Sequence, residues 1–445
     1  MTADICVIVP TIREYECMRE YVANAREHGF DTDRLHVVLV TEDFCDTEAM
    51  AAMLDDLDVS GEVFDGSARE AWFDEHGVSE FAHLIPEASH AQTSFGLLYM
   101  WDGDFERGVF IDDDTLPHED VDFFGTHMRN LDYRGAIEAV ESDERWVNVL
   151  YDTDTDLYPR GYPYSAMDED VRTETTTVSD VVASQGLWTN VPDLDAVRIL
   201  MDGDLEGQAQ TRTSADDFDD DLQGQAQTRL DAEHFGSDFV AAPGQYLTVC
   251  SMNLAFEREV VPAFYQLPMD DNPWDVGRFD DIWSGVFLKR AADLLGKQIY
   301  NGDPLCEHNK APRSTFGDLT NEVAGLELNE HVWEYADRVG EADSYADAFA
   351  KMADELLAAD VSEYENGEFL QHCGEYMHDW LDCLEALDAG ELQASEPAAS
   401  VADDSPEPPD LTTVGDPKSY NDGPRQRLRR WRIGRQRDVF SPAIS

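Results

Sequence analysis

The chain has 445 residues, with 95 Asp+Glu against 31 Lys+Arg and a formal net charge of -64 at pH 7. That balance excludes nucleic acid as a partner for the body of the protein, because neutralising phosphates takes a basic face. No apolar run approaches the ~18 residues of a membrane helix, while a hydrophobic fraction of 42% is enough for a sizeable core.

Only five of the basic residues are lysines. Self-repulsion on this scale destabilises a compact state in dilute buffer, but at molar salt the Debye length falls to about 3 Å. The composition therefore reads as adaptation to a salt-rich cytoplasm, where a carboxylate surface keeps the protein hydrated. The start, "MTADICVIVP", has no basic region or cleavage site, so the expected location is cytoplasmic. The seven cysteines form no C-x-x-C pair and fit neither a zinc site nor a disulfide framework.

"ICVIVP" (5–10) and "LHVVLVT" (35–41) are short apolar runs rich in β-branched residues, each followed by a helical pattern. "EVF" near Val63 is a weaker third strand, "SFGLLYMW" (94–101) a buried helix, and "GVFID" (108–112) the next strand. Near-continuous apolar strands alternating with helices predict an α/β fold with a mostly parallel sheet covered on both faces. Ligands of such sheets bind beyond the carboxyl ends of the strands. "DLEGQAQTR" (204–212) recurs as "DLQGQAQTR" (221–229), matching at eight of nine positions, and reads as a duplication lengthening a surface loop over 202–236. Beyond Asn329 apolar residues fall three and four apart, predicting a helical extension over 329–392. Residues 393–445 read as a disordered acidic linker and basic tail. The catalytic domain is expected over 1–328.

In "FIDDDTLP" (110–117) a buried strand runs into Asp112, Asp113 and Asp114. In so acidic a chain three carboxylates are commonly a solvated patch. Their place at a strand end also suits a divalent cation, Mn2+ or Mg2+, which takes hard oxygen ligands and substrate phosphates. A nucleotide-sugar enzyme needs such an arrangement to neutralise the diphosphate. In "GRFDDIWSG" (277–285), Asp280 or Asp281 can cap a helix or face a pocket as general base. "CEHNKAP" (306–312) offers His308 and Lys310 for a metal or diphosphate contact, although a lone histidine is more often structural. Trp188 and Trp283 read as core.

Taken in order, "VPTIRE" (9–14), "FIDDDTLP", "YPRGYPYS" (158–165), "SQGLWTNVPDLDA" (184–196), "CSMNLAFERE" (250–259) and "GRFDDIWSG" resemble the reversibly glycosylated polypeptides, also known as UDP-arabinopyranose mutases. The resemblance spans about Ile5 to Phe316. It implies a GT-A-like nucleotide-sugar fold, a UDP-sugar substrate, a divalent cation and an arginine reversibly glycosylated during pyranose–furanose interconversion. Carried over by position, Asp112 and Asp114 with His308 are the metal ligands, and Pro10, Thr11, Arg13, Asp112, Asp113 and Lys310 contact the nucleotide. Arg160 is then the glycosylated residue, with Asp280 and Asp281 as candidate proton acceptors. The family's His-Gly-Leu-Trp stands here as Gln185-Gly186-Leu187-Trp188, so any role of that histidine is lost.

Two activities are consistent with these features: a UDP-sugar mutase that glycosylates itself, and a metal-dependent glycosyltransferase that passes the sugar to an external acceptor. The tail "PRQRLRRWRIGRQR" (424–437), with seven arginines, suits either folding back on the chain's own acidic body or peripheral docking on an anionic membrane or an acidic partner. A homo- or hetero-oligomer is compatible with all of this.

Overall fold

Strand β1 (Ile5–Pro10) leads into helix α1 (Cys17–Glu27), and β2 (Leu35–Val40) into α2 (Thr47–Asp56). Next come β3 (Ser60–Phe64), α3 (Gly66–Glu75) and α4 (Gln92–Asp102). These are followed by β4 (Arg107–Ile111), β5 (Thr115–Pro117), α5 (Phe123–Leu131) and β6 (Gly135–Ser142). Each apolar run forms a strand because its β-branched side chains pack on both faces of a pleated sheet. Val7, Ile8, Val37, Val38, Val109 and Phe110 are all fully buried, and burying each contributes roughly 1.5–3 kcal/mol.

The second half continues with β7 (Val171–Val178), β8 (Val181–Asn190), α6 (Ala196–Met201), β9 (Phe239–Ala241) and β10 (Asn253–Glu257). Helix α7 (Asp280–Leu294) and β11 (Gln298–His308) follow. The chain then turns helical through α8 (Thr315–Asn329), α9 (Val332–Asp337), α10 (Tyr345–Leu357) and α11 (Glu368–Ser395). The computed structural model describes residues 3–12, 17–153, 155–167, 170–201, 230, 235–236, 238–269, 272–309 and 314–395, which fall in one compact unit, Met1–Glu396. Arg13, Lys310, nearly all of the duplicated insert and the tail beyond Ser395 lie outside the described residues. Among the described residues no helix is long and apolar enough to cross a membrane.

The strands form one sheet in the order β3-β2-β1-β4-β10-β8-β11-β9-β6-β7, with β5 beside β11. The half formed by β3, β2, β1 and β4 is parallel throughout, as the alternation of strands and helices predicts. Beyond β4 directions mix: β10 is antiparallel to both its neighbours, whereas β8 and β11 run parallel. The antiparallel β6–β7 edge carries a polar, largely exposed β7 whose alternation is too weak to predict from the sequence.

Candidate active site

The sheet direction decides where the acidic triplet sits. Strand β4 lies between β1 and β10 and ends at Ile111, so Asp112 to Asp114 leave the core at the carboxyl edge. The turn is tight: the Asp112 carbonyl accepts from both the backbone N–H (3.2 Å) and the hydroxyl (2.8 Å) of Thr115. Strand β5 then pairs antiparallel with the end of β11, placing Thr115 opposite His308. This pairing brings Asp114 and His308, nearly two hundred residues apart in sequence, to one corner.

The three carboxylates differ in surroundings. Asp113 accepts a 2.7 Å hydrogen bond from the hydroxyl of Thr11, just past the end of β1. Pro10 closes β1 opposite Val40, and Thr11 donates its N–H to the Val40 carbonyl at 2.9 Å. Pro10, Thr11 and Asp113, expected to share a nucleotide site, are therefore together. The Asp112 carboxyl is pushed well above the usual carboxylate range, first by burial and then by the charges of Asp114, Asp281, Asp113 and Asp193. That set of neighbours joins the triplet to a second cluster around Arg160.

The backbone N–H of Arg160 bonds the Asp193 carbonyl at 2.8 Å. Its Nε–H donates to Asp193 Oδ2 at 3.0 Å, and Nη2 and Nη1 reach Asp281 Oδ2 and Oδ1 at 3.0 and 3.2 Å. Nη1 also donates to the carbonyl of Arg278. Four of the five guanidinium N–H bonds are thereby used, leaving one hydrogen on Nη2 without a partner among the described residues. The three side chains are only 9–12% exposed. Burial opposes the Arg160 charge, but Asp193 and Asp281 outweigh it and hold the pKa well above that of an ordinary arginine.

Asp280 and Asp281 have different roles. Asp280 is the buried first residue of α7, whose N-cap is Phe279, so neither aspartate is the cap. Asp281 is the one that grips Arg160. Asp193, the other grip, carries no signal in the sequence beyond its place in "NVPDLDA", because one aspartate in a loop of this chain looks like any other.

The frame around the arginine is specific. Gly161 adopts φ +86°, and a Cβ there would sit 2.3 Å from Ile282 Cγ2, so only glycine fits this turn. Arg278 holds φ +64°, a conformation uncommon for a residue with a Cβ, while its Nε–H bonds buried Glu322 on α8 at 2.9 Å. Asn329 at the end of α8 donates to the Gly161 carbonyl at 3.0 Å and accepts from Trp283 Nε1 at 3.2 Å. The Glu330 carboxylate accepts from the backbone N–H groups of Tyr164 (2.7 Å) and Ser165 (2.9 Å). The helical extension thus anchors the backbone on which Arg160 sits.

His308 is 3% exposed. A carbonyl can only accept, so its 2.7 Å contact with Val191 O makes Nδ1 the donor. Nε2 then faces Asp114 Oδ1 at 3.8 Å. Two ligands each ~2.1 Å from a shared divalent cation are at most ~4.2 Å apart, so this pair fits one. A metal-bound histidine commonly donates its other N–H to a carbonyl in this way. Among the described residues no group of three or more His, Cys, Asp or Glu side chains could hold a metal ion. A cation here would therefore rely on substrate oxygens, as magnesium and manganese commonly do.

A small cavity opens against Arg160 and Asp193, lined also by Gln185, Trp188, Cys250 and Asn253. Burial pushes the Cys250 thiol well up, which removes it as a nucleophile. Trp188 and Trp283 are both buried, as expected.

A model of the family described as "Reversibly glycosylated polypeptide" matches residues 213–389. The match reaches through most of the helical extension, further than the motifs themselves, and begins after Arg160. "UDP-arabinopyranose mutase 1" of Arabidopsis thaliana is 30% identical over 230 residues, covering 50% of this chain and 53% of its own. "Probable UDP-arabinopyranose mutase 2" of Solanum tuberosum is 29% identical over 230 residues, covering 50% and 51%. The chain spans about half the length of the curated relatives it matches. Among solved structures, the mannosyltransferase PcManGT of Pyrobaculum calidifontis, in complex with GDP-Man and Mn2+, is 14% identical with a TM-score of 0.34, covering 88% of this chain and 87% of its own.

Proposed function

We propose, from the premise of kinship with the reversibly glycosylated polypeptides, that the chain is a UDP-sugar mutase that holds the sugar on Arg160 between two encounters with UDP. The carrying observation is the 3.0 Å contact between Arg160 Nη2 and Asp281 Oδ2. A guanidinium is a poor nucleophile, and Asp281, which favours its charged form at rest, is the group that can accept its proton as the C–N bond forms. Its bidentate grip also leaves little of the guanidinium edge for clamping a diphosphate, the ordinary role of an arginine here.

The chemistry balances as follows. The bond from the sugar C1 to the diphosphate oxygen breaks, and its electron pair leaves with UDP. Nη2 forms the C1–N bond while its proton passes to Asp281. Ring opening then turns the ring oxygen into a hydroxyl, and closure through a different hydroxyl gives the other ring size, the proton moving from the closing to the released oxygen. UDP, still bound, attacks C1 through the same phosphate oxygen; the C–N bond breaks and Asp281 returns its proton to Nη2.

Asp114 and His308 are the residues that would hold Mn2+ or Mg2+. When bound, such an ion neutralises charge on the diphosphate. Thr11 and Asp113 fix the strand ends against which the nucleotide lies. Burial of Arg160 keeps water from the glycosyl intermediate.

The test needs no acceptor. Full-length protein at molar salt is incubated with UDP-arabinopyranose alone, with product analysis for the furanose isomer and intact-mass analysis of the protein. The mutase reading requires isomer and a sugar adduct that Arg160→Lys and Arg160→Ala both abolish. Sugar transfer to an added acceptor, with no isomer and no adduct, would instead identify a glycosyltransferase.

A further inference from the structure

Two residues lining the cavity beside Arg160 each carry a buried polar atom without a partner among the described residues. Gln185 is 2% exposed and Trp188 5% exposed, and both line that cavity on strand β8. The Gln185 amide donates through Nε2 to the Thr248 carbonyl at 3.0 Å, which fixes the amide's orientation. Among the described residues its Oε1 has no hydrogen-bond partner, and neither has the indole Nε1 of Trp188. An unpaired acceptor and an unpaired donor, each costly at this depth, therefore belong to two residues that line one cavity with Arg160 and Asp193.

A hydroxyl is the group that satisfies both: it donates to the amide oxygen and accepts from the indole. A carboxylate or phosphate oxygen meets the indole but is repelled by the amide oxygen, and an ammonium meets only the amide. The nearby carboxylate of Asp193 further disfavours an anion. We infer that Gln185 Oε1 and Trp188 Nε1 together bind one sugar hydroxyl, and so position the ring of a UDP-pentose with its C1 toward Arg160. This rests on the mutase reading above and specifies the substrate face of the same site. The pair contributes recognition of the glycosyl group and none of the nucleotide. Because the amide is neutral and one of its two N–H groups is engaged with Thr248, the acceptor stays an acceptor at every working pH.

Calorimetry with two probes, UDP and UDP-arabinopyranose, each with Mn2+ at molar salt, tests this on the full chain and on Gln185→Leu and Trp188→Phe. Wild type should bind the sugar nucleotide more tightly than UDP. Each variant should lose about tenfold of that advantage, the worth of one neutral hydrogen-bonded group, with UDP affinity unchanged. In turnover the change should fall on KM with kcat/KM reduced to match. Unchanged affinity for both probes, the result for a cavity that only ever holds water, overturns the assignment. So does a parallel loss of UDP and UDP-sugar binding, which signals a structural or nucleotide-binding role. If wild type does not discriminate the two probes and makes no isomer, the mutase reading itself fails and this inference goes with it.

Discussion

His308 gives its Nδ1 hydrogen to the carbonyl oxygen of Val191 at 2.7 Å, which leaves Nε2 as the nitrogen presented to Asp114. The tautomer is thereby set by the backbone at the end of β8. Asp114→Asn keeps the shape of the corner and removes its charge. That substitution and His308→Ala should each weaken Mn2+-dependent UDP binding at least about tenfold, with little change in UDP binding when the cation is chelated. Equal losses with and without the cation would place the pair outside the metal site.

Asp281 and Asp193 both hold Arg160, but only Asp281 meets Nη1 and Nη2. Asp281→Asn should abolish the sugar adduct while leaving UDP affinity within a few fold. Asp193→Asn should keep a measurable adduct at lower thermal stability, because it removes one of two charges balancing a buried cation. Intact-mass analysis after incubation with UDP-arabinopyranose separates them. A fully labelled Asp281→Asn protein would remove Asp281 as the proton acceptor.

Gly161→Ala tests the frame directly. It adds both a strained backbone and a clash with Ile282, a fully packed residue of α7. Overpacking of this kind costs about 1–3 kcal/mol, and α7 carries Asp281. The melting temperature should fall and adduct formation should fall with it. A variant as stable as wild type would mean that this turn relaxes without cost.

His127 gives a pH signature. Its ring is fully buried between Ser184 (3.0 Å) and Asn253 (2.8 Å), and burial lowers its pKa to about 4 from the usual 6.5. Between those values the unfolded chain binds a proton that the folded chain refuses. Stability from this group is therefore full above pH 6.5 and is lost as pH falls toward 4, by about 3 kcal/mol in all. The stability difference between wild type and His127→Gln should shrink by that order from pH 7 to pH 4. Parallel stability curves would show that the imidazole titrates normally.

Much of the first half of the fold was legible. "ICVIVP", "LHVVLVT" and "GVFID" became β1, β2 and β4 almost residue for residue, because strands buried on both faces leave an apolar run that little else produces. The acidic triplet was legible for the same reason, since it marks where burial stops. Arg160 and Asp281 were visible only through co-linear motifs. Asp193 was not visible, because charge identifies nothing in a chain of -64. The proximity of Asp114 and His308 depends on the short β5–β11 pairing, a non-local register that three residues cannot signal. The orphaned Gln185 oxygen is a property of packing and has no sequence signature.

Asn329 and Glu330 hold the backbone at Gly161, Tyr164 and Ser165 from outside the reaction pocket. Inheritance therefore ties residues 329–330 to residues 161–165 more closely than their distance in sequence suggests. A change at the α8–α9 junction touches no residue lining the cavity, yet it removes hydrogen bonds that hold the turn carrying Arg160. Lineages that diversify the helical extension must either keep this two-residue latch or change the "RGYPYS" turn in step with it. Paired replacement at positions 161–165 and 329–330 is the trace such a history would leave.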